Sequence, residues 1–92
     1  MSLEDILNSA TQLMNPIPAK FADGTPIALQ HVGQAASFLL VSCADAKADH
    51  PELWQAATAA LMAADEHPTD REKARAAWLA TFNLLRDAGR IL

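Results

Sequence analysis

The fold of this chain is decided at residues 69–89, which read TDREKARAAWLATFNLLRDAG. Thr69, followed three residues later by Glu72, has the pattern of a helix capping box. Apolar residues then recur every three or four positions, and Gly89 stands where a left-handed residue commonly ends a helix. The stretch therefore predicts an amphipathic helix from Thr69 to Gly89. Its predicted core stripe is Ala74, Ala77, Trp78, Phe82, Leu85 and Ala88.

Two further helices are predicted before this one. The first covers Val32–Lys47 and is apolar almost all round, which is typical of a helix that is buried on more than one side. The second begins with Asp49 or His50 as its cap and with Pro51 in its first turn. With the helix that starts at Thr69, they make residues 32–92 a three-helix unit.

A β-hairpin is predicted before the helices. Pro16 and Pro18 exclude a helix in this segment. Asp23-Gly24 is the signal of a tight hairpin turn, in which both central residues have positive φ. The predicted strands lie near residues 19–22 and 26–30.

The first segment predicts a short amphipathic helix from Ser2 to about Met14. Ser2 and Asp5 resemble a capping box, and apolar residues follow at helical spacing until Pro16. The chain is therefore expected to be one domain over residues 1–92, mainly α with a small β-hairpin (α+β). Its predicted parts are an N-terminal helix (1–15), a hairpin segment (16–31) and the three-helix unit (32–92).

Charge is distributed unevenly along the chain. The net charge is −4, yet residues 71–92 carry five basic side chains against two acidic ones. The acidic body disfavours general nucleic-acid binding, which depends on neutralising phosphates. The last helix is the one place where an anionic partner is expected to dock, so a nucleic-acid-associated or anionic-partner-binding regulator is the alternative function. The predicted anion-docking residues are Arg71, Arg75, Arg86 and Arg90.

The location of the protein is expected to be the cytoplasm. Cys43 is the only cysteine, which excludes an intrachain disulfide and fits a reducing compartment. The start lacks the basic and apolar regions of a secretory signal. No apolar run approaches the ~18 residues of a membrane span, so no membrane association is expected.

The order of hairpin and helices resembles an uncharacterised bacterial family described as domain of unknown function 982. The resemblance covers about residues 20–92. The matching residues are Ala36 and Leu40, the stretch Ala56–Leu61, the stretch Ala74–Trp78, and Ala88-Gly89. The family usually has Phe at the position of Trp78, and its common Trp-Pro pair is absent here. The resemblance implies a fold and brings no catalytic residue with it.

No catalytic, metal-binding or cofactor-binding residue is predicted. The candidate zinc ligands His31, His50, His67 and Cys43 have no paired spacing, so the histidines are expected at the surface or at helix caps. Cys43 is expected to be a small buried hydrophobe rather than a nucleophile. The adjacent carboxylates Asp65 and Glu66 are expected to be solvated in a loop. An enzyme with a pocket between the hairpin and the helices stays open, because sites also form without linear motifs.

Apolar residues remain that the predicted helix faces do not cover. They either cover each other within one chain or pack between chains. The leading hypothesis is a non-enzymatic protein-interaction module that acts as a homodimer or as an adaptor for another protein. The predicted interface residues are Leu3, Ile6, Leu7, Leu13, Phe38 and Val41.

Overall fold

A computed structural model describes residues 2–92 and confirms a mainly α fold with one β-hairpin. The hairpin packs against α1 and α4, and α3 packs against α4. The elements are a 3₁₀ turn (Leu3–Ile6), β1 (Gln12–Lys20), β2 (Pro26–His31), α1 (Val32–Ser42), α2 (Ala46–Asp49), α3 (Pro51–Glu66) and α4 (Arg71–Asp87).

The predicted N-terminal helix is wrong beyond its first turn. Only Leu3–Ile6 is helical, and β1 begins at Gln12, inside the segment assigned to that helix. The two prolines of β1 favour extended backbone at the residues before them. From this extended chain, Leu13, Ile17 and Ala19 all reach the core. The helical apolar spacing before Gln12 therefore does not continue as a helix into β1, whose side chains alternate between two faces.

The hairpin is confirmed, with longer strands and a wider turn than predicted. Of Asp23 and Gly24, only Gly24 has a positive φ, of 92°, so the predicted two-residue turn is wrong. The backbone N–H of Phe21 instead donates to the carbonyl oxygen of Thr25 at 2.8 Å, which closes a longer loop. Within it, the N–H of Thr25 donates to Asp23 Oδ1 at 2.9 Å and lowers the pKa of that carboxyl group.

The C-terminal residues extend the sheet along the edge of β1 that β2 leaves open. The backbone N–H of Lys20 donates to the carbonyl oxygen of Arg90 at 2.8 Å. The N–H of Leu92 donates to the carbonyl oxygen of Pro18 at 3.0 Å. This end of β1 is therefore bonded on both sides, which protects it from pairing with other chains.

A left-handed glycine turns the chain from α4 back towards β1. Gly89 has a φ of 73°, as predicted. Its N–H donates to the carbonyl oxygen of Arg86 at 3.1 Å, and the N–H of Arg90 donates to that of Leu85 at 2.8 Å. These two bonds form the Schellman motif, which satisfies carbonyl groups at the end of a helix.

Two helix ends differ from the predictions. α1 ends at Ser42 rather than near Lys47, because Cys43 leaves the helical conformation before the separate turn α2. At the start of α4 the cap is Asp70 and not Thr69. The Asp70 carboxylate accepts hydrogen bonds from the backbone N–H groups of the second and third helical residues, at 3.0 and 3.2 Å, and so satisfies two free donors at once.

The core lies between the hairpin, α1 and the α3–α4 pair. The helices α1, α3 and α4 contribute leucine or valine side chains at a few positions, and α2 contributes Ala46. The largest fully buried side chains include Ile17, Leu29, Val32, Leu39, Leu61, Leu84 and Leu85.

Candidate interaction surface

Most of the predicted interface is part of the chain's own core. Leu3, Ile6, Leu13 and Phe38 are all buried within the single chain, so the prediction that they form a surface between chains is wrong. The 3₁₀ turn packs against α1 and α3, which covers its apolar residues. Of the alternatives that the sequence left open, packing within one chain is the one observed for these four residues.

Phe38 shows how an apolar side chain outside the predicted helix faces is covered within one chain. Its ring packs against that of Phe21 in the hairpin, with ring centroids 5.3 Å apart and planes tilted by 58°. Only Leu7 and Val41 of the predicted interface remain exposed, Val41 to 79%. Single exposed apolar residues are common on folded proteins and do not by themselves mark a binding site.

The four predicted anion-docking arginines do not act as one group. Arg71, Arg75 and Arg86 are exposed on α4. Arg90 is turned away from them: its side chain is 18% exposed, and its Nη2 lies 3.9 Å from Asp45 Oδ1. The prediction is therefore wrong for Arg90, because the Schellman turn directs the chain back over the fold.

Two of these side chains, Arg75 and Arg86, belong to an outward-facing row on α4. Residues three or four positions apart share one face of a helix. We define the α4 face as Glu72, Arg75, Leu79, Phe82 and Arg86. Phe82 is half-buried, the other four side chains are exposed, and Leu79 at the centre is 50% exposed.

Phe82 of the α4 face forms an aromatic pair with Trp78, which borders the face. The rings of Trp78 and Phe82 are stacked, with centroids 5.0 Å apart and planes 8° from parallel. Both side chains are half-buried and pack against the edge of the core. The sequence placed them in the core stripe, whereas the fully buried residues of α4 are Ala77, Thr81, Leu84 and Leu85. The real stripe is rotated by one position, which exposes one side of the aromatic pair.

The charged side chains of the α4 face form weak ion pairs within the chain or none. Arg86 Nε lies 3.6 Å from Asp87 Oδ1, and both side chains are largely exposed. Such surface pairs contribute about 0–1 kcal/mol. Glu72 and Arg75 form no ion pair with any residue between 2 and 92. The face therefore combines an exposed leucine and an aromatic edge with charges that are available to a partner.

A groove of about 400 Å³ lies elsewhere, between the 3₁₀ turn, α1, α2 and α3. Its walls include Leu40, Trp54 and Met62, and its ionisable residues are Glu4 and Lys47, both exposed. These side chains suit contact with apolar groups, and the groove brings no buried acid and base together.

Cys43 is fully buried, which confirms its prediction as a small core residue. Burial raises the pKa of its thiol to about 11, although the nearby Arg90 guanidinium acts in the opposite direction. A thiol with such a high pKa is protonated at neutral pH and is a poor nucleophile.

The three histidines all stand at helix ends, in agreement with the predicted capping positions. His31 and His50 precede α1 and α3, and His67 follows α3. Over the described residues 2–92, no three His, Cys, Asp or Glu side chains converge on a point where a metal ion would bind. Asp65 and Glu66 lie in the last turn of α3, so their assignment to a loop is wrong.

No helix within residues 2–92 has the length and apolar character needed to cross a bilayer. Comparison with protein-family models, with curated proteins and with solved structures finds no match to this chain. The resemblance to domain of unknown function 982 therefore stays a prediction.

Proposed function

We propose that this chain is a small protein-interaction module without catalytic activity, and that the α4 face is its docking surface. The observation that carries this proposal is the exposure of Leu79 beside the Trp78–Phe82 stack, between Arg75 and Arg86. The other large exposed apolar residues are Leu7, Met14, Val41 and Leu92, and none of them lies between two arginines of the same helix.

The residue types on this face suit protein recognition. Arginine, on the face, and tryptophan, at its border, are enriched among the residues that dominate binding energies, and charged groups around an apolar centre are typical of such interfaces. Burying the exposed half of Leu79 and the aromatic edge would supply the apolar contribution. The two arginines favour a partner with acidic side chains at matching positions.

Attachment of a photoreactive side chain tests this proposal. Ala76 is exposed on α4 next to the α4 face, and Ala56 is exposed on α3 and serves as the matched control position. A benzophenone amino acid would replace each alanine in turn, and irradiated cells would be analysed by mass spectrometry of the cross-linked peptides. We expect an adduct with one defined polypeptide from position 76 and none from position 56.

The charge variant Arg86→Glu should reduce this adduct strongly, because it reverses one of the two arginines. Equal adducts from both positions, or no adduct from position 76, would contradict a docking role for the α4 face. An adduct with nucleic acid in place of protein would favour the anionic-partner regulator instead.

A further inference from the structure

The charges of the α4 face are arranged around Leu79 with opposite signs at equal distances. Glu72 precedes Leu79 by seven residues, and Arg86 follows it by seven. Seven residues advance about 10.5 Å along an α-helix and return to within about 20° of the same direction. Both side chains are exposed. The face therefore carries Glu72 at one end, Leu79 in the middle and Arg86 at the other end, with Arg75 between Glu72 and Leu79.

Such a row is complementary to itself in one orientation only. When a second α4 lies antiparallel across Leu79, Glu72 of each copy is opposite Arg86 of the other. In a parallel arrangement, Glu72 would meet Glu72 and Arg86 would meet Arg86. Opposite charges attract and like charges repel across an interface, so the charge pattern selects the antiparallel pair.

The flanking residues fit the same arrangement. On one side of the twofold axis, Arg75 of each copy comes beside the exposed part of Phe82 of the other, where a guanidinium and an aromatic ring attract each other. On the other side, the small Ala76 comes beside Asn83. Two leucines meet at the centre, so the same patch serves both copies, as a twofold interface requires.

We infer that two copies of this chain associate through antiparallel α4 helices, with a twofold axis at Leu79 and with Glu72–Arg86 pairs between the copies. The inference rests on the proposed docking role of the α4 face and names a second copy of the chain as its partner. The pair would be concentration-dependent, and salt would weaken it because its ion pairs are exposed to solvent.

Reversal of single charges, followed by mixing, tests this inference on the purified full chain. Glu72→Arg places two arginines at each end of the pair, and Arg86→Glu places two glutamates there. Each variant alone should dimerise about tenfold or more weakly than the original chain, because like charges then face each other. An equimolar mixture of the two variants should recover the dimer, since every arginine again faces a glutamate. Sedimentation equilibrium over a concentration series would measure the original chain, the two variants and their mixture.

Two further variants keep the result interpretable. Leu79→Asp should abolish the dimer in every background, whereas Val41→Asp, at an exposed apolar residue of α1, should leave it unchanged. Thermal melts monitored by circular dichroism would verify that each variant is folded. A chain that stays monomeric up to millimolar concentration would overturn self-association, as would a dimer that survives Leu79→Asp.

The outcome separates this inference from the proposed function. If the purified chain is monomeric but position 76 cross-links to a different polypeptide, the α4 face is a docking surface and only the identity of the partner is wrong. If position 76 gives no adduct and the chain is monomeric, both the inference and the proposed function fail.

Discussion

The backbone of Ser9 lies directly against Gly33 at the start of α1. The N–H of Gly33 donates to the carbonyl oxygen of Ser9 at 3.1 Å. A Cβ at position 33 would lie 2.7 Å from that oxygen and 2.5 Å from the carbonyl oxygen of Leu7. Only glycine allows the two backbones to approach this closely, and the approach holds the N-terminal segment on α1, with Leu3 and Ile6 buried.

Gly33→Ala is therefore expected to destabilise the protein by about 1–3 kcal/mol, the usual cost of overpacking. The sign of the change in stability tests the close approach. Alanine is a better helix former than glycine by about 1 kcal/mol, so Gly33→Ala would stabilise the protein if position 33 were open. Urea denaturation would measure the difference. Ser37→Ala, at an exposed position of the same helix, is the control and should change the stability little. A Gly33→Ala variant more stable than the original would disprove the close approach.

The N-cap of α4 gives a second prediction, which separates two neighbouring residues. Asp70→Ala removes the acceptor of two backbone hydrogen bonds and should cost about 1 kcal/mol. Thr69→Ala should have almost no effect, because Thr69 is exposed and outside the helix. Thermal denaturation of the two variants would compare them. A larger loss for Thr69→Ala would restore the capping box that the sequence indicated.

Gly89 gives a third prediction, in which backbone conformation is the only expected source of lost stability. Its φ is 73°, and no atom lies within 4 Å of the position that a Cβ would occupy. Gly89→Ala should therefore cost about 1–2 kcal/mol from the left-handed conformation only. Gly89→Asn should cost less, since asparagine tolerates this conformation better. Equal losses in urea denaturation for the two variants would indicate a steric rather than a conformational cause.

The sequence predicted those elements whose signals are local. The hairpin follows from Asp23-Gly24 and its flanking prolines, and the end of α4 follows from Gly89. The N-terminal helix failed beyond Ile6 although its apolar spacing is helical, because from Gln12 onward the pairing of β1 with β2 overrides the local pattern. The contact of Gly33 with Ser9 joins two segments through backbone atoms, so no side-chain pattern in the sequence predicts it.

The candidate site was predicted in part for a similar reason. Arg75 and Arg86 were predicted as docking residues of the last helix, and both are exposed on one face of α4. Trp78 and Phe82 were assigned to the core by their helical spacing, and the rotation of α4 relative to α3 and β1 does not follow from that spacing. Arg90 was counted with the other arginines because its direction depends on the turn at Gly89 and on Asp45, which is distant in the sequence.

Cys43 provides a final prediction, in which the thiol reports on the folded core. Burial raises the pKa of this thiol from 9.0 to about 11, so the folded protein holds the proton more tightly than the unfolded chain. This contribution to stability is complete below about pH 9 and is lost as the pH rises towards 11. We expect Ellman's reagent to react at pH 8 only after unfolding in urea. We also expect the unfolding free energy to fall more steeply above pH 9 than that of Cys43→Ala, which lacks the titrating group. Rapid reaction of the native protein at pH 8, or identical pH profiles for the two proteins, would show that the thiol is accessible to solvent.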